Sequence, residues 1–454
     1  MTDEVEVRAF IGLQYARGLY NLNHKNTNFL FNHQMSPAIF SATMTVNRYC
    51  FLHSNIRFDD ANTRQERISN DKFTAFRDIY ECFNAKCSSA LQPDEFIALD
   101  ETLYACRNRM SFKQYNPKKP AKYGILFKSL NGVNYPYTFL SVVYGGKPEN
   151  EGEFYHPGII PVVKHMVSSL MRSADLRGRN ITMDRLYTSL ELSEWLLEKK
   201  ITTVGTIMSN KKGIPKEIKT TENREKNSYE VYWLKNNPKI SLHSYVIESK
   251  SRGKTNVLVL SSMPAILGTT RDDGENKPAI IKFYDFSKGG TDIVDQRISS
   301  SSVSTTSRRW TMSAFSYVLD TARINAQTIF SLNNDINTRK SNSLELVWQL
   351  AMSLVKPHIM RRKKETLSKL TINKINCILL KEEEDIEDQN EAAEKNSIEI
   401  KANFCKECLQ NCYGPNYRIK KKSIYRIKTI CTHCKSHICK NHMEITCKNC
   451  NKNR

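Results

Sequence analysis

The chain has 454 residues and a formal net charge of +21 at neutral pH, and 40% of its residues are hydrophobic. This length exceeds one ordinary hydrophobic core, so two to four domains are expected, and the charge favours a polyanion as partner, nucleic acid before an acidic membrane surface. The sequence contains no apolar run of about 18 residues and opens with the polar stretch MTDEVEVRAF, so neither a membrane span nor a signal peptide is expected.

The N-terminal segment has the hydrophobic periodicity of helices. Apolar side chains recur at helical spacing in residues 9–20 and again in residues 40–52. Residues 70–91 repeat the pattern, and Asn70 or Asp71 is the expected N-cap of that helix.

From residue 96 the hydrophobic period becomes that of strands. FIALDETLYAC, YGILFKSL and YPYTFLSVVYGG are predicted to be three successive strands. Helices are then predicted at 160–173 and 187–200, with strands at 180–183 and 202–208 between and after them. This order favours an α/β sheet with helices packed on it.

Residues 210–280 interrupt this alternation with short β-prone runs between polar stretches, which predicts a small β-rich insertion. Helices are predicted to resume near Asp292 and to continue to about residue 375. Residues 381–399 hold nine acidic and two basic residues, a composition typical of a solvated helix or a flexible linker.

Three segments of the sequence place aspartates where they could bind metal ions. The runs FIALDE and NITMDR predict strands that end at Asp100 and Asp184, and KGGTDIVDQR places Asp292 and Asp295 on one face of a helix that Thr291 can cap. Carboxylates on rigid elements are ligands for Mg²⁺, and two such ions catalyse phosphoryl transfer on nucleic acids. Each aspartate alone is more simply a helix cap or a surface charge; the set on a basic chain favours a phosphoryl-transfer site.

The stretch after Asp100, CRNRMSFKQYNPKKPAKYG, is basic and rich in turn residues. Its cations can bind phosphate, and Phe112, Tyr115 and Tyr123 can stack on unpaired bases. The alternative is a charged hairpin whose aromatic residues lie in the core. The candidate DNA-binding cations are Arg107, Arg109, Lys113, Lys118, Lys119 and Lys122.

The last fifty residues contain eight of the 13 cysteines. Four ligand pairs with two-residue spacers suit two tetrahedral Zn²⁺ ions in an interleaved cross-brace, with disulfides or free thiols as the alternative. On that pattern one ion takes Cys405, Cys408, Cys439 and His442, and the other takes Cys431, Cys434, Cys447 and Cys450. The residues that can substitute for these ligands are Cys412, His433 and His437. A RING or PHD module is the competing interpretation.

Several blocks resemble those of piggyBac transposases, in the same order over nearly the whole chain: IRFDDANTR, KFTAFRDI, LDETL with the basic stretch after it, NITMDRLYTS, VGTIMSNKKGIP, KGGTDIVDQ and SRRW. The resemblance implies an RNase H-like catalytic core within the α/β fold. It also implies a DDD-type site in which Asp100, Asp184 and Asp292 are catalytic and Asp295 is an accessory fourth carboxylate. The expected cofactors are two catalytic Mg²⁺ ions and two structural Zn²⁺ ions.

The predicted organisation combines the periodicity with this resemblance. It consists of a helical dimerisation and DNA-binding domain in residues 1–95 and 302–375, an RNase H-like catalytic domain in 96–209 and 281–301, a β-rich insertion domain in 210–280, an acidic linker in 376–402, and a cysteine-rich zinc domain in 403–454.

The resemblance implies cut-and-paste transposition of double-stranded DNA at TTAA sites. Water attacks the transposon end, the freed 3′ hydroxyl forms a hairpin, water reopens it, and the 3′ hydroxyl then attacks the target. In the family the SRRW block lies near the flipped or hairpin DNA end, and the cysteine-rich domain recognises subterminal DNA. The residues implied by these two statements are Arg308, Arg309 and Trp310, and in the tail Lys420, Lys421 and Lys422.

A homodimer acting on two DNA ends is expected. A nuclear location is also expected, with MRRKKE at residues 360–365 as either an import signal or a charged helix end. The alternative is a domesticated DNA-binding protein, derived from a transposase, that has no catalytic activity.

Overall fold

The computed structural model describes residues 1–215, 217–219, 223–249, 253–263, 277–334, 343–362 and 366–379. Residues 1–367 form one compact unit, and residues 368–379, helical from residue 369, belong to a second. The acidic stretch 381–399, the predicted zinc ligands and the lysines at 420–422 lie outside the described residues. In the part of the chain that is described, no helix has the length and apolarity needed to cross a membrane.

The N-terminal segment is helical, as its periodicity predicts. Its helices are α1 (Glu4–Leu19), α2 (Thr27–Leu30), α3 (Ala38–Thr43), α4 (Val46–Asn55), α5 (Arg64–Ile68) and α6 (Thr74–Ala90). The expected cap of α6 is wrong, because this helix begins at Thr74 without a side-chain cap. Asp71 instead accepts a hydrogen bond from the backbone N–H of Phe73 and forms an ion pair with Arg77.

Within the described ranges, nine strands form one mixed sheet. They are β1 (Phe96–Ala105), β2 (Gln114–Tyr115), β3 (Tyr123–Gly132), β4 (Thr138–Val143), β5 (Asn180–Met183), β6 (Thr202–Thr206), β7 (Tyr229–Leu234), β8 (Asn237–Ser249) and β9 (Gly253–Ser261). Their order is β2-β3-β1-β5-β6-β9-β8-β7, and β4 also pairs with β3. β1 is antiparallel to β3 and parallel to β5, which is parallel to β6.

The strands predicted for the insertion lie where the sequence places them, but they extend the main sheet. β9 pairs antiparallel with β6, with Val204 opposite Ser261, and β8 and β7 follow outward from β9. The insertion therefore shares the sheet of the predicted catalytic segment. The next helix, α9 (Ala279–Ser287), begins before Asp292, where the periodicity predicted that helices resume.

Helices cover both faces of the sheet. The other α-helices described in the first unit are α7 (Ile159–Leu170), α8 (Leu190–Glu198), α10 (Gly290–Ser300), α11 (Trp310–Asn333) and α12 (Ser343–Met360). On one face, Leu99 of β1 packs in a core with residues of α7 and α8. On the other, Tyr104 of β1 packs with residues of α6, α10 and α11. Successive strand residues point to opposite faces, so β1 contributes to both cores.

Helices from both ends of the unit pack together. Gly12 of α1 lies so close to α12 that a Cβ there would be 2.7 Å from Cγ1 of Val355. The hydroxyl of Tyr15 donates a 2.9 Å hydrogen bond to the carbonyl oxygen of Leu319 on α11. These contacts join helices that are distant in the sequence, and the predicted dimerisation and DNA-binding domain stays a prediction.

Candidate active site

Asp100 and Asp184 lie side by side on adjacent parallel strands. The register of β1 and β5 pairs Leu99 with Met183, so the two aspartates are the next residues along each strand. Neighbouring strands are about 4.8 Å apart, which brings the two backbone positions close together. Residues 84 apart in the sequence, counted as 184 − 100, are therefore neighbours at the centre of the sheet.

The two strands end differently. β5 ends at Met183, immediately before Asp184, as predicted. For β1 the strand predicted over FIALDETLYAC is confirmed to within a residue, and the prediction that the strand ends at Asp100 is wrong. β3 continues to pair with β1 from Ser129 opposite Asp100 to Gly124 opposite Ala105. Asp100 is thus held in the middle of a strand that has partners on both sides.

Helix α10 packs on the face of β1 that carries Asp100. Ala98, Asp100 and Thr102 alternate onto this face. Gly290, at the start of α10, lies against Ala98, where an added Cβ would be only 2.9 Å from the Cβ of Ala98. Further along the helix, Oγ1 of Thr102 donates a 2.6 Å hydrogen bond to Oδ1 of Asp295. Glycine at position 290 therefore allows the helix to approach the sheet at the level of Asp100.

Asp292 lies on α10 between these two contacts, in its first turn, and is exposed. The segment from Gly290 to Asp295 rises about 7.5 Å along the helix axis and crosses a strand segment about 13 Å long with Asp100 at its middle. The predicted cap is wrong, because Gly289 precedes the helix without a side-chain cap. The hydroxyl of Thr291 instead accepts a 2.7 Å hydrogen bond from the side-chain amide of Asn131 on β3.

Asp100 and Asp184 are neighbours, but the carboxylates of the site do not surround a common point. Among the described residues, no group of three or more His, Cys, Asp or Glu side chains is placed to hold one metal ion. Oδ1 of Asp184 accepts a 2.8 Å hydrogen bond from the backbone N–H of Leu186 in the turn after β5. The donor set still fits Mg²⁺, since Asp100 and Asp184 offer hard carboxylate oxygens from adjacent strands.

Burial shapes the protonation of this site. It raises the pKa of Asp100 to about 7; the backbone N–H of Glu101 and the ammonium of Lys119 oppose this shift, and the carboxylates of Glu101 and Asp184 add to it. Burial also raises the pKa of Asp295 to about 6, against the hydrogen bond from Thr102 and the charge of Lys119. A cation bound here would favour the ionised carboxylates.

Residues 1–327 match the DDE-type family model described as Transposase IS4. The chain belongs to the piggyBac-type transposase family. It is also similar to a solved structure titled "Cryo-EM structure of piggyBac transposase synaptic complex with hairpin DNA (SNHP)". The two share 26% sequence identity with a TM-score of 0.73, and the match covers 99% of this chain and 88% of that chain.

In this piggyBac-type chain, the basic stretch after Asp100 brings one of its cations to the carboxylates. Nζ of Lys119 donates a 2.7 Å hydrogen bond to the backbone carbonyl oxygen of Glu101. Nζ of Lys113 lies 5.9 Å from the centre of the Tyr123 ring. The other candidate cations of the stretch have exposed positions: Arg107, Arg109, Lys118 and Lys122. Their DNA contacts stay predictions.

The three aromatic residues of this stretch separate into two groups. Phe112 is buried, at 2% exposure, and packs in the core shared by α6, α10 and α11. Tyr115 and Tyr123 are exposed, at 58% and 44%, with ring centres 4.7 Å apart. Only the two tyrosines therefore present ring faces that a base can reach without a change in the core.

Two residues of the SRRW block at the start of α11, Arg309 and Trp310, make contacts within the protein. Arg309 donates hydrogen bonds from Nη1 to the carbonyl oxygen of Ile56 at 2.7 Å and from Nη2 to that of His53 at 2.6 Å. The ring of Trp310 is partly buried and packs against Phe73 and Phe112, with ring centres 5.3 and 5.2 Å away. Arg308 is exposed. Roles for these residues at a DNA end stay predictions.

Three polar residues that join the segments of the site, Glu101, Thr102 and Tyr187, were not predicted from the sequence. Thr102 bonds Asp295, and the hydroxyl of Tyr187 donates a 2.7 Å hydrogen bond to Oε2 of Glu101. Strand alternation places Thr102 on the face of Asp100, so its position had a signal in the sequence. Tyr187 had none, because the shape of the turn after β5 decides where its hydroxyl lies.

Proposed function

We propose that the chain is a DNA transposase that cleaves DNA ends and joins them to TTAA targets. Asp100, Asp184 and Asp292 are its catalytic carboxylates, and Asp295 is the accessory fourth. The observation that carries the proposal is the register that sets Asp100 beside Asp184 on the sheet face where α10 lies. Membership of a DDE-type transposase family supports it, and so does the strand arrangement, in which β4, β3 and β1 are antiparallel and β5 and β6 run parallel to β1, as an RNase H-like core requires.

The proposed cofactor is a pair of Mg²⁺ ions held by Asp100, Asp184 and Asp292. When bound, the ions would activate the attacking oxygen and stabilise the leaving oxygen of each in-line displacement at phosphorus. Because no three carboxylates converge in the described residues, the proposal requires a side-chain rearrangement when DNA and ions bind.

The chain's own residues supply position and charge. Strands β1 and β5 fix the backbones of Asp100 and Asp184, and Thr102 orients Asp295 on α10. Lys119, which is bonded beside Asp100, is proposed to meet the phosphate at the cleavage point. The remaining proposed contacts to DNA are Arg107, Arg109, Lys113, Lys118, Lys122, Arg308, Arg309, Trp310, Lys420, Lys421 and Lys422.

Three further features belong to the proposal. The cysteine-rich tail is proposed to bind two structural Zn²⁺ ions and to contact DNA. A homodimer is proposed to hold two DNA ends in the nucleus. Metal analysis of the purified full chain tests the zinc, with two ions per chain expected and a content near zero as the contrary result.

The test of the function is cleavage of end DNA from inverted repeats that flank the gene. The purified full chain is expected to nick this DNA at the repeat boundary when Mg²⁺ is present and to leave it intact in EDTA. Binding of this DNA without any cutting would instead favour the domesticated DNA-binding protein.

A further inference from the structure

A hydrogen bond joins the two chain segments that carry Asp100 and Asp184. Glu101 follows Asp100 on β1 and points to the opposite face of the sheet. Tyr187 lies three residues after Asp184, in the turn between β5 and α8. The hydroxyl of Tyr187 donates to Oε2 of Glu101 at 2.7 Å, on the face away from α10.

Tyr187 is fixed at both its ring and its backbone. The ring is fully buried, in the core formed with α7 and α8. The backbone N–H donates to the carbonyl oxygen of Asp184 at 3.2 Å and lies 3.4 Å from its Oδ1. The backbone of Tyr187 therefore contacts Asp184, while its hydroxyl bonds Glu101, the residue next to Asp100.

Glu101 is also held from more than one side. Lys128 on β3 is directly opposite it in the register and is buried, at 7% exposure. Burial lowers the pKa of Lys128, and the charge of Glu101 opposes that shift. The backbone carbonyl oxygen of Glu101 accepts the hydrogen bond from Lys119. Glu101 is thus a fixed acceptor for the Tyr187 hydroxyl, directed away from the face of Asp100.

We propose that Tyr187 and Glu101 are positioning residues, which fix the separation between Asp100 and Asp184 without touching DNA or metal. The proposal rests on the proposed function, because the separation matters only if the two aspartates share ions. Residues hydrogen-bonded directly to metal ligands typically change metal affinity by about 10- to 100-fold when they are removed. The Tyr187 hydroxyl bonds Glu101, the chain neighbour of Asp100, so an effect at the lower end of this range is expected.

The test compares Tyr187→Phe with Tyr137→Phe in the full chain. Tyr137 is a matched control, because its buried ring lies in the same core and its hydroxyl donates a 2.7 Å hydrogen bond to the carbonyl oxygen of Cys87. Each variant loses one hydroxyl. Calorimetry measures Mn²⁺ binding, and nicking assays give the half-saturating Mn²⁺ concentration separately from the maximal rate.

Tyr187→Phe is expected to raise the half-saturating Mn²⁺ concentration about 10-fold in both assays, while Tyr137→Phe matches the wild type. Glu101→Gln keeps an oxygen acceptor and is expected to bind Mn²⁺ more tightly than Glu101→Ala. Equal Mn²⁺ affinities of Tyr187→Phe and Tyr137→Phe would overturn the positioning role. A wild-type chain that neither binds Mn²⁺ nor nicks DNA would overturn the proposed function itself.

Discussion

Thr102 on β1 donates a 2.6 Å hydrogen bond to Asp295 on α10. The bond joins the strand that carries Asp100 to the helix that carries Asp292. It also lowers the pKa of Asp295, against the larger effect of burial, which raises it. Together with the close approach of Gly290 to Ala98, the bond fixes α10 over the centre of the sheet.

Replacing Thr102 by Val removes the donor and keeps the shape. The pKa of Asp295 is expected to rise above about 6, because the lost hydrogen bond favoured the ionised carboxylate. The free energy of unfolding is expected to fall by about 1–3 kcal/mol. Carboxyl titration by ¹³C NMR measures the pKa, and Thr102→Ser is the control that keeps the hydroxyl. An equal pKa of Asp295 in Thr102→Val and in the wild type would show that the Thr102 hydrogen bond does not affect this carboxylate.

Asp100→Asn is expected to stabilise the protein at pH 8. Burial raises the folded-state pKa of Asp100 from 3.8 to about 7, so above pH 7 the fold carries an ionised carboxylate that it disfavours. This destabilisation grows as pH rises from about 4 to 7 and is absent below about 4, where the group is protonated in both states. The expected gain at pH 8 is roughly 1 to 4 kcal/mol in denaturant unfolding. No gain in the free energy of unfolding at pH 8, or the same gain at pH 4, would show that the ionised Asp100 carboxylate does not destabilise the fold.

Divalent cations are expected to raise the melting temperature of the wild type, because a ligand of the folded state alone stabilises it. The rise should shrink as pH falls through about 7, where Asp100 takes up a proton that competes with the ion. Scanning calorimetry with and without Mg²⁺ measures this. Asp184→Asn should abolish the shift, and Asp175→Asn, at an exposed ion pair with Arg177, should retain it. An undiminished shift in Asp184→Asn would place the ion elsewhere.

Arg308 and Arg309 are expected to respond differently to replacement by Ala. Arg309→Ala should lower the free energy of unfolding by about 1–3 kcal/mol, because the carbonyl oxygens of His53 and Ile56 lose their donor. Arg308→Ala should leave unfolding unchanged and weaken DNA binding. The slope of log binding constant against log salt concentration should fall by about one, the value for one lost phosphate contact. Urea unfolding and fluorescence anisotropy across a salt series measure the two effects. Unchanged unfolding of Arg309→Ala, or unchanged DNA binding by Arg308→Ala, would contradict these expectations.

The helices and strands were predicted well where a regular hydrophobic pattern extends over many residues. β3, β4, α7 and α8 lie where the periodicity indicated. The end of β1 was predicted in two ways, at the end of FIALDETLYAC and at Asp100, and its pairing with β3 beyond Asp100 decides for the longer strand. The place of the insertion strands could not be predicted, because the pairing of β9 with β6 is a contact between distant segments.

The site was predictable in its residues more than in its geometry. Family blocks pointed to the aspartates one by one, but only the register shows that Asp100 and Asp184 are neighbours. The family resemblance of the SRRW block implied contacts with DNA, whereas the guanidinium of Arg309 bonds two carbonyl oxygens of the protein. A charge in a sequence does not reveal whether its nearest partner is a phosphate or the backbone.

The most direct test of the account is cleavage of end DNA by four single variants in Mg²⁺. Asp100→Asn, Asp184→Asn and Asp292→Asn are each expected to lower the nicking rate by at least about 1,000-fold, since electrostatic stabilisation at phosphorus depends on the full set. DNA affinity should stay near that of the wild type, and the control Asp175→Asn should cut normally. Nicking at the wild-type rate by any one of the three catalytic variants would contradict a single site built from these carboxylates.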